Sequence, residues 1–256
     1  MAFDVRPICS DARACTRTTP NCLACPASRN CMIAGASREE MQRWNAILQV
    51  QVSLEQGKAV FAVGDLVDAV FTVRAGCIKT YTVDADGNER VRGFHLPGDI
   101  VGLDALGSER HLAHAVAVVP SQICRVPRTQ LQKLLVESPT LMLKLMERMS
   151  GALGAALALS GDYTAEQRVA AFLLSMHQRL DPLPGAAGKL PMSRRDIANY
   201  LRLATETVCR VITRFEKQSL IQTKDRAFRL LKAAALHELA EPVGICHRPP
   251  AMALAA

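Results

Sequence analysis

The stretch Ser193-Arg-Arg-Asp-Ile-Ala-Asn-Tyr-Leu-Arg-Leu-Ala-Thr-Glu-Thr-Val-Cys-Arg-Val-Ile-Thr-Arg-Phe-Glu-Lys217 decides how the carboxy-terminal part of this chain folds. Ser193 is suited to cap a helix whose buried face is Ile197, Ala198 and Leu201, and a four-residue break leads to a second helix. On that second helix Val208, Val211, Ile212 and Phe215 fall at i, i+3, i+4 and i+7, so they face a core. The outward face then carries Glu206, Cys209, Arg210, Thr213 and Arg214, with Thr205 at the helix start. This is what a major groove requires. Arginine can bind guanine O6 and N7 with both arms, and a carboxylate such as Glu206 can accept from cytosine N4. Arg195, with Arg194, Lys217 and Lys224, is placed to hold backbone phosphates, which fix register without reading bases. Ile221-Gln-Thr and Phe228-Arg-Leu around Lys224-Asp225-Arg226 add a short hairpin, so the unit reads as a winged helix-turn-helix for double-stranded DNA. The plainer alternative is a solvated basic face on a helical hairpin.

Charge favours the first reading. The chain carries +7 overall, and residues 193–232 hold ten Lys or Arg against four Asp or Glu. Upstream lie an amphipathic helix from Ala165 to Arg179 and a Pro- and Gly-rich connection from Asp181 to Pro191. Before these, Ser138-Pro139 reads as an N-cap with proline at the first helical position, opening one long helix. Met142, Leu145, Met149, Leu153 and Ala156 recur along it at three- and four-residue steps, a narrow stripe suited to a parallel homodimer seam. A helix packed only on its own domain is the competing reading. Gly151 and Gly154 weaken the helix by up to ~1 kcal/mol each relative to alanine.

From about Gln49 to Val126 short β-branched runs (Val67 to Val73, Ile78 to Val83, Ile123 to Val126) alternate with turn signals such as Gly76, Asp86-Gly87-Asn88 and Pro97-Gly98-Asp99. That spacing predicts an antiparallel sandwich or barrel. The fold class is therefore α+β: an antiparallel β-barrel domain over 37–137, a long dimerisation helix over 138–163 and a winged helix-turn-helix over 164–241. A cysteine-rich segment, 1–36, precedes them, and a tail read as disordered, 242–256, follows.

Three cysteines, Cys22, Cys25 and Cys31, form C-x2-C-x5-C, and Cys124 stands alone far downstream. A closed zinc site is usually built from two local pairs, whereas three clustered thiolates and one remote thiolate suit an iron-sulfur cube with a ligand at each corner. Zinc on the same cysteines, or plain structural cysteines, are the alternatives, and Cys9 and Cys15 lie close enough to compete as ligands. Nothing before Asp4 resembles a secretory signal, and no uncharged apolar run reaches the ~18 residues that a bilayer demands. The expected setting is cytoplasmic, with no membrane partner. His95, His111 and His114 show no nucleophile, base and orienter pattern, so an enzyme is not expected.

Cluster, barrel, long helix and reading head, in this order, resemble the fumarate and nitrate reduction regulator (FNR) branch of the CRP/FNR transcription factors. The runs Arg74-Ala-Gly-Cys-Ile-Lys-Thr-Tyr, Gly93-Phe-His-Leu-Pro-Gly-Asp-Ile-Val-Gly-Leu-Asp-Ala-Leu-Gly and Arg195-Asp-Ile-Ala-Asn-Tyr-Leu are close to that branch. The resemblance implies a 4Fe-4S cluster on Cys22, Cys25, Cys31 and Cys124 that holds a dimer together until oxygen arrives. It implies a two-fold DNA target close to TTGAT-N4-ATCAA, and RNA polymerase contacts near Val83, Asp84, Gly87 and Asn88. Cyclic-nucleotide relatives need a Gly-Glu pair and a following Arg-Ser. Gly102-Leu103 and Ala113-His114 stand there instead, so no cyclic nucleotide is expected. The chain departs from the family pattern at Cys209, where a hydroxyl is usual, and at Arg202, where glycine is usual. Pro26 and Asn30 differ beside the ligands. Ala156 stands where a charged residue opposes dimerisation, in a helix nearly a turn shorter after Gly151. These departures leave open a second reading, a dimer independent of its cluster that senses nitric oxide or redox state.

Overall fold

The computed structural model describes residues 21–180 and 188–243, which divide into two compact units, one ending at Ser150 and the other beginning at Gly151. Cys9, Cys15, Cys246 and most of the tail lie outside the described residues. Within the first unit eight strands run in chain order: β1 (Val50–Leu54), β2 (Ala59–Phe61), β3 (Ala69–Ala75), β4 (Ile78–Val83), β5 (Glu89–His95), β6 (Ile100–Val101), β7 (His114–Ala117) and β8 (Ser121–Pro127). They pair antiparallel into two four-stranded sheets, ordered β1-β8-β3-β6 and β2-β7-β4-β5, which is a jelly roll. Phe61, Phe71, Val73, Ile78 and Ile123 fill the space between the sheets. The turn from β3 to β4 depends on Gly76: its φ is +86°, and a Cβ there would lie 2.3 Å from Ser121 Oγ. Glycine alone avoids both the backbone strain and the collision.

Because side chains alternate along a strand, the same sheet builds a second core on its outer side. On β3 Phe71 points between the sheets and Val70 away; on β8 Ile123 points between them while Cys124 and Val126 point away. Three helices cover that outer face: α1 (Arg38–Ile47), α2 (Arg128–Glu137) and α3 (Pro139–Ala158). Trp44, Leu131, Leu135, Leu141 and Leu145 pack there with Met32 and Ile33 of the cysteine segment. Each such side chain contributes roughly 1.5–3 kcal/mol when fully buried. The α1 and α2 helices flank a stretch whose sequence reads only as strands. For α1 the signal is nonetheless present: Ser37 and Glu40 form a capping box, each side chain accepting from the other's backbone N–H.

The long helix opens where expected, with Pro139 first and the Leu141 N–H donating to Ser138 Oγ at 3.4 Å. Its apolar residues divide differently from the expected seam. Leu145 is 5% exposed inside the outer core and Met142 packs against that core, so both serve their own protomer. Leu143, Met146 and Met149 are exposed instead, and further along the helix Leu153, Ala156 and Leu157 are exposed. The outward stripe thus runs through Leu143 and Met146 in place of Met142 and Leu145.

The second unit contains α4 (Ala165–Leu180), β9 (Gly188–Lys189), α5 (Arg194–Leu201), α6 (Thr205–Lys217), β10 (Ile221–Lys224), β11 (Ala227–Leu230) and α7 (Ala233–Ala240). The expected hairpin is β10 and β11, joined at its edge by β9 to give the order β10-β11-β9. Arg168 ties the entry of this unit to its centre by donating to the carbonyls of Gly161, Tyr163 and Leu201 at 2.9, 3.1 and 3.1 Å. At its end Glu241–Val243 forms a 3-10 turn with Val243 buried, so the first residues of the expected disordered tail are folded.

Candidate cofactor site and nucleic-acid interface

Residues 21–36 form no helix or strand; they advance by successive turns, with Cys25 N donating to the Cys22 carbonyl at 3.2 Å, Ser28 N to Cys25 at 3.1 Å and Ala34 N to Cys31 at 2.9 Å. The Cys22 N–H donates to Asn45 Oδ1 on α1 at 3.0 Å, which pins the loop to the outer core. Cys22, Cys31 and Cys124 are each under a tenth exposed, at 8, 7 and 6%, and Cys25 is half-buried. The four thiols feel one another. Burial first, then Cys31, Cys124 and Cys25, push Cys22 up to about 12. Burial and then Cys25 push Cys124 up to about 11. Cys31 is raised by burial and by Cys25, against backbone N–H groups of Ile33 and Met32 and the charge of Arg148. Cys22, Cys31 and Cys124 lie in one buried cluster on the outer side of the β8 sheet, and Cys25 is half-buried in the same loop. Cys77 is buried elsewhere, its Sγ directed at the Ile78 carbonyl at 3.9 Å.

Among the described residues no group of three or more His, Cys, Asp or Glu is placed to hold a metal ion. A tetrahedral zinc with bonds of about 2.3 Å demands sulfurs about 3.8 Å apart. Thiolates at Cys22, Cys31 and Cys124 would be buried negative charges, opposed by Arg74 and Arg148. Four sulfur donors are the set that a four-iron cluster takes.

In the second unit Ser193 caps α5, accepting from Asp196 N at 3.1 Å, while Asp196 Oδ2 accepts from Ser193 N at 3.3 Å and Oγ at 2.6 Å. The helix ends at Arg202 in the left-handed region, φ 56° and ψ 44°, the conformation that favours glycine. That turn aims α6. Val208, Val211, Ile212 and Phe215 are buried, and Glu206, Cys209, Arg210, Thr213 and Arg214 are exposed on the other side; Thr205 is half-buried. Arg210 donates to Thr207 Oγ1 at 3.4 Å, and Arg214 pairs with Glu166 of α4. Arg195, Lys217 and Lys224 are exposed as phosphate contacts need to be, but Arg194 is turned inward. Burial lowers its pKa, its Nη1 is enclosed without a hydrogen-bond partner, and its near charges are Cys209 and Glu216. Periodicity alone did not distinguish these adjacent arginines.

At the barrel tip Val83, Gly87 and Asn88 are exposed, and Asp84 organises the turn: its Oδ1 accepts from Asn88 N at 2.8 Å and Asp86 N at 3.2 Å, and its Oδ2 pairs with Arg90. These bonds hold its carboxyl below the usual range. Where a cyclic nucleotide's phosphate would need acid and arginine, Gly102 sits at φ +91°, with the His111 ring 3.3 Å from the position of a Cβ. His111 stacks on Phe61 with centroids 3.6 Å apart, and Ala113 is buried.

Residues 51–138 match the cyclic nucleotide-binding domain family, and residues 167–239 match the Crp-like helix-turn-helix domain family. The chain is 34% identical to the transcriptional regulatory protein btr of Bordetella pertussis, over 86% of this chain and 93% of that one. It is 32% identical to the fumarate and nitrate reduction regulatory protein of Escherichia coli strain K12, over 86% and 90%. Among solved structures it is similar to FixK2 from Bradyrhizobium japonicum, with a TM-score of 0.68 and 31% identity over 75% of this chain and 97% of that one. No helix among the described residues is long and apolar enough to cross a membrane.

Proposed function

The chain belongs to the FNR branch of the CRP/FNR transcription factors, and on that premise we propose that it is a regulator of anaerobic metabolism that holds a 4Fe-4S cluster and senses oxygen through its loss. Cys22, Cys25, Cys31 and Cys124 are the ligands. The observation that carries this reading is the burial of Cys22 and Cys31 in one core cluster with the distant Cys124, with Cys25 half-buried between the first two in the chain. The bound cluster would supply the positive charge that lets these thiols ionise, and its reactivity toward oxygen would supply the signal. Everything else is the work of the polypeptide. Asn45 and the outer core hold the loop, α3 presents the stripe of Leu143, Met146, Met149, Leu153 and Leu157 to a second copy, and a homodimer places two α6 helices on a TTGAT-N4-ATCAA-like site. Arg210 and Glu206 read bases, Arg195 holds phosphate, and the Asp84 turn meets RNA polymerase. The setting is cytoplasmic.

No cyclic nucleotide is part of this function. Leu103 and Ala113 cannot pair with a cyclic phosphate, and His111 closes on Phe61 beside Gly102. One observation favours a second reading, a dimer independent of its cluster that answers to nitric oxide or redox state: the exposed stripe carries Ala156 and no charge beside it at Leu153 or Leu157. Anaerobic purification decides between them. Iron and sulfide content, mass and operator affinity are measured before and after air; loss of all four together supports the oxygen switch. An unchanged dimer and affinity after cluster loss supports the second reading, and iron-free material that binds its operator equally well defeats both.

A further inference from the structure

We propose that Lys144 and Arg148 of α3 are positioning residues that clamp the cysteine loop by its backbone and so connect the state of the cluster to the rotation of the long helix. The inference rests on the cluster reading above. Lys144 Nζ donates to the Ala34 carbonyl, and Arg148 Nη2 donates to the Asn30 carbonyl, so the two cations grip the loop on either side of Cys31. Arg148 Nη1 also reaches the Gly98 carbonyl at 3.4 Å and the Asp99 carboxylate at 3.8 Å. That second pair matters because the turn at Gly98 lies directly against the loop: φ is +98°, and a Cβ there would fall 2.4 Å from the Asn30 carbonyl carbon. One guanidinium therefore joins three segments, the cysteine loop, the turn between β5 and β6, and α3.

The direction of the grip follows from helical geometry. Lys144 and Arg148 are four residues apart and share one face, and with about 100° between successive residues the exposed Leu143, Met146 and Met149 lie on the opposite face. Leu141 and Leu145 face the core between them. The loop thus holds the helix from behind while its apolar stripe faces outward. If the loop unfolds, the carbonyls of Asn30 and Ala34 leave the cations, and α3 loses the contacts that fix its rotation on this unit. The donors act on backbone carbonyls, so the clamp senses whether the loop is folded and not which side chains it carries.

The test uses full-length protein with Arg148→Ala, Arg148→Lys, Lys144→Met and the Lys144→Met/Arg148→Ala double variant. Anaerobic iron and sulfide content, the rate at which visible absorption fades in air, amide hydrogen exchange across residues 28–36 and thermal melting are recorded for each. The double variant is expected to load its cluster but lose it about tenfold faster in air. Exchange in the loop should rise in the double variant even without iron, while exchange across β3 and β8 stays unchanged. Arg148→Lys, which keeps one donor, should recover part of the difference. Cluster loss and loop exchange equal to the parent in the double variant would overturn the clamp. Should the double variant fail to fold, Lys144→Met alone carries the test, because it removes a single contact at the edge of the loop. A parent protein without iron would remove the cluster reading, and the exchange comparison would still decide whether the two cations hold the loop.

Discussion

The reading head and the cysteine site are built by opposite strategies. Capped at Ser193 and closed by Val208, Val211, Ile212 and Phe215, the helices α5 and α6 are specified by residues within one short stretch. The cysteine site draws on residues 22–31, on Cys124 in β8, on Asn45 in α1 and on cations of α3, and its loop has neither helix nor strand. Local contacts make a part that is formed whatever its surroundings do. Scattered contacts make one whose order depends on all of them at once, and segments of low local stability are where switching belongs.

The largest expected effect tests the scattered side. Cys124→Ser should abolish iron and sulfide binding under anaerobic conditions while leaving the helical circular dichroism of the reading head intact; retained iron would show that Cys124 lies outside the ligand set. Next, Arg210→Ala should weaken operator binding by about 1–3 kcal/mol, roughly fivefold to 150-fold, without touching iron content. A variant that lost both would break the independence of the two regions. Smaller still, Arg202→Gly relieves a left-handed side chain and should stabilise the second unit by about 0.5–1 kcal/mol, read as a higher melting temperature.

The smallest effect concerns pH. Burial lowers the His111 pKa, against the charges of Asp104, Asp65 and Asp68, so the folded protein takes up this proton less readily than the unfolded chain. The sign follows: the stability is intact above the unfolded value near 6.5 and is lost as pH falls through that value toward the lower folded one. His111→Phe removes the titration, and its melting temperature should fall less than the parent's between pH 7 and pH 5. Parallel falls in the two proteins would show that His111 does not contribute.

What could be read in the sequence follows the same division. The helix pair and hairpin were legible because caps and a 3.6-residue period are local signals, and the C-x2-C-x5-C spacing of Cys22, Cys25 and Cys31 was legible because it lies within ten residues. The stripe on α3 was misplaced at Met142 and Leu145 because that helix has two apolar faces, and periodicity does not say which one a barrel covers. Lys144 and Arg148 carry no local signal of their role, since their partners are carbonyls more than a hundred residues away in the chain. The short β9 strand was hidden in a Pro- and Gly-rich connection, whereas α1 announced itself through Ser37 and Glu40 and was passed over for the strands that follow.

The adjacency of Ile123 and Cys124 on opposite surfaces of β8 has a consequence for the length of the strand. Inserting or deleting one residue just upstream would send the sulfur into the hydrocarbon interior and the isoleucine out toward Cys22 and Cys31, so both surfaces of the sheet would be disturbed together. An exchange of one residue for another in this strand touches one surface of the sheet, whereas a change of its length would touch both.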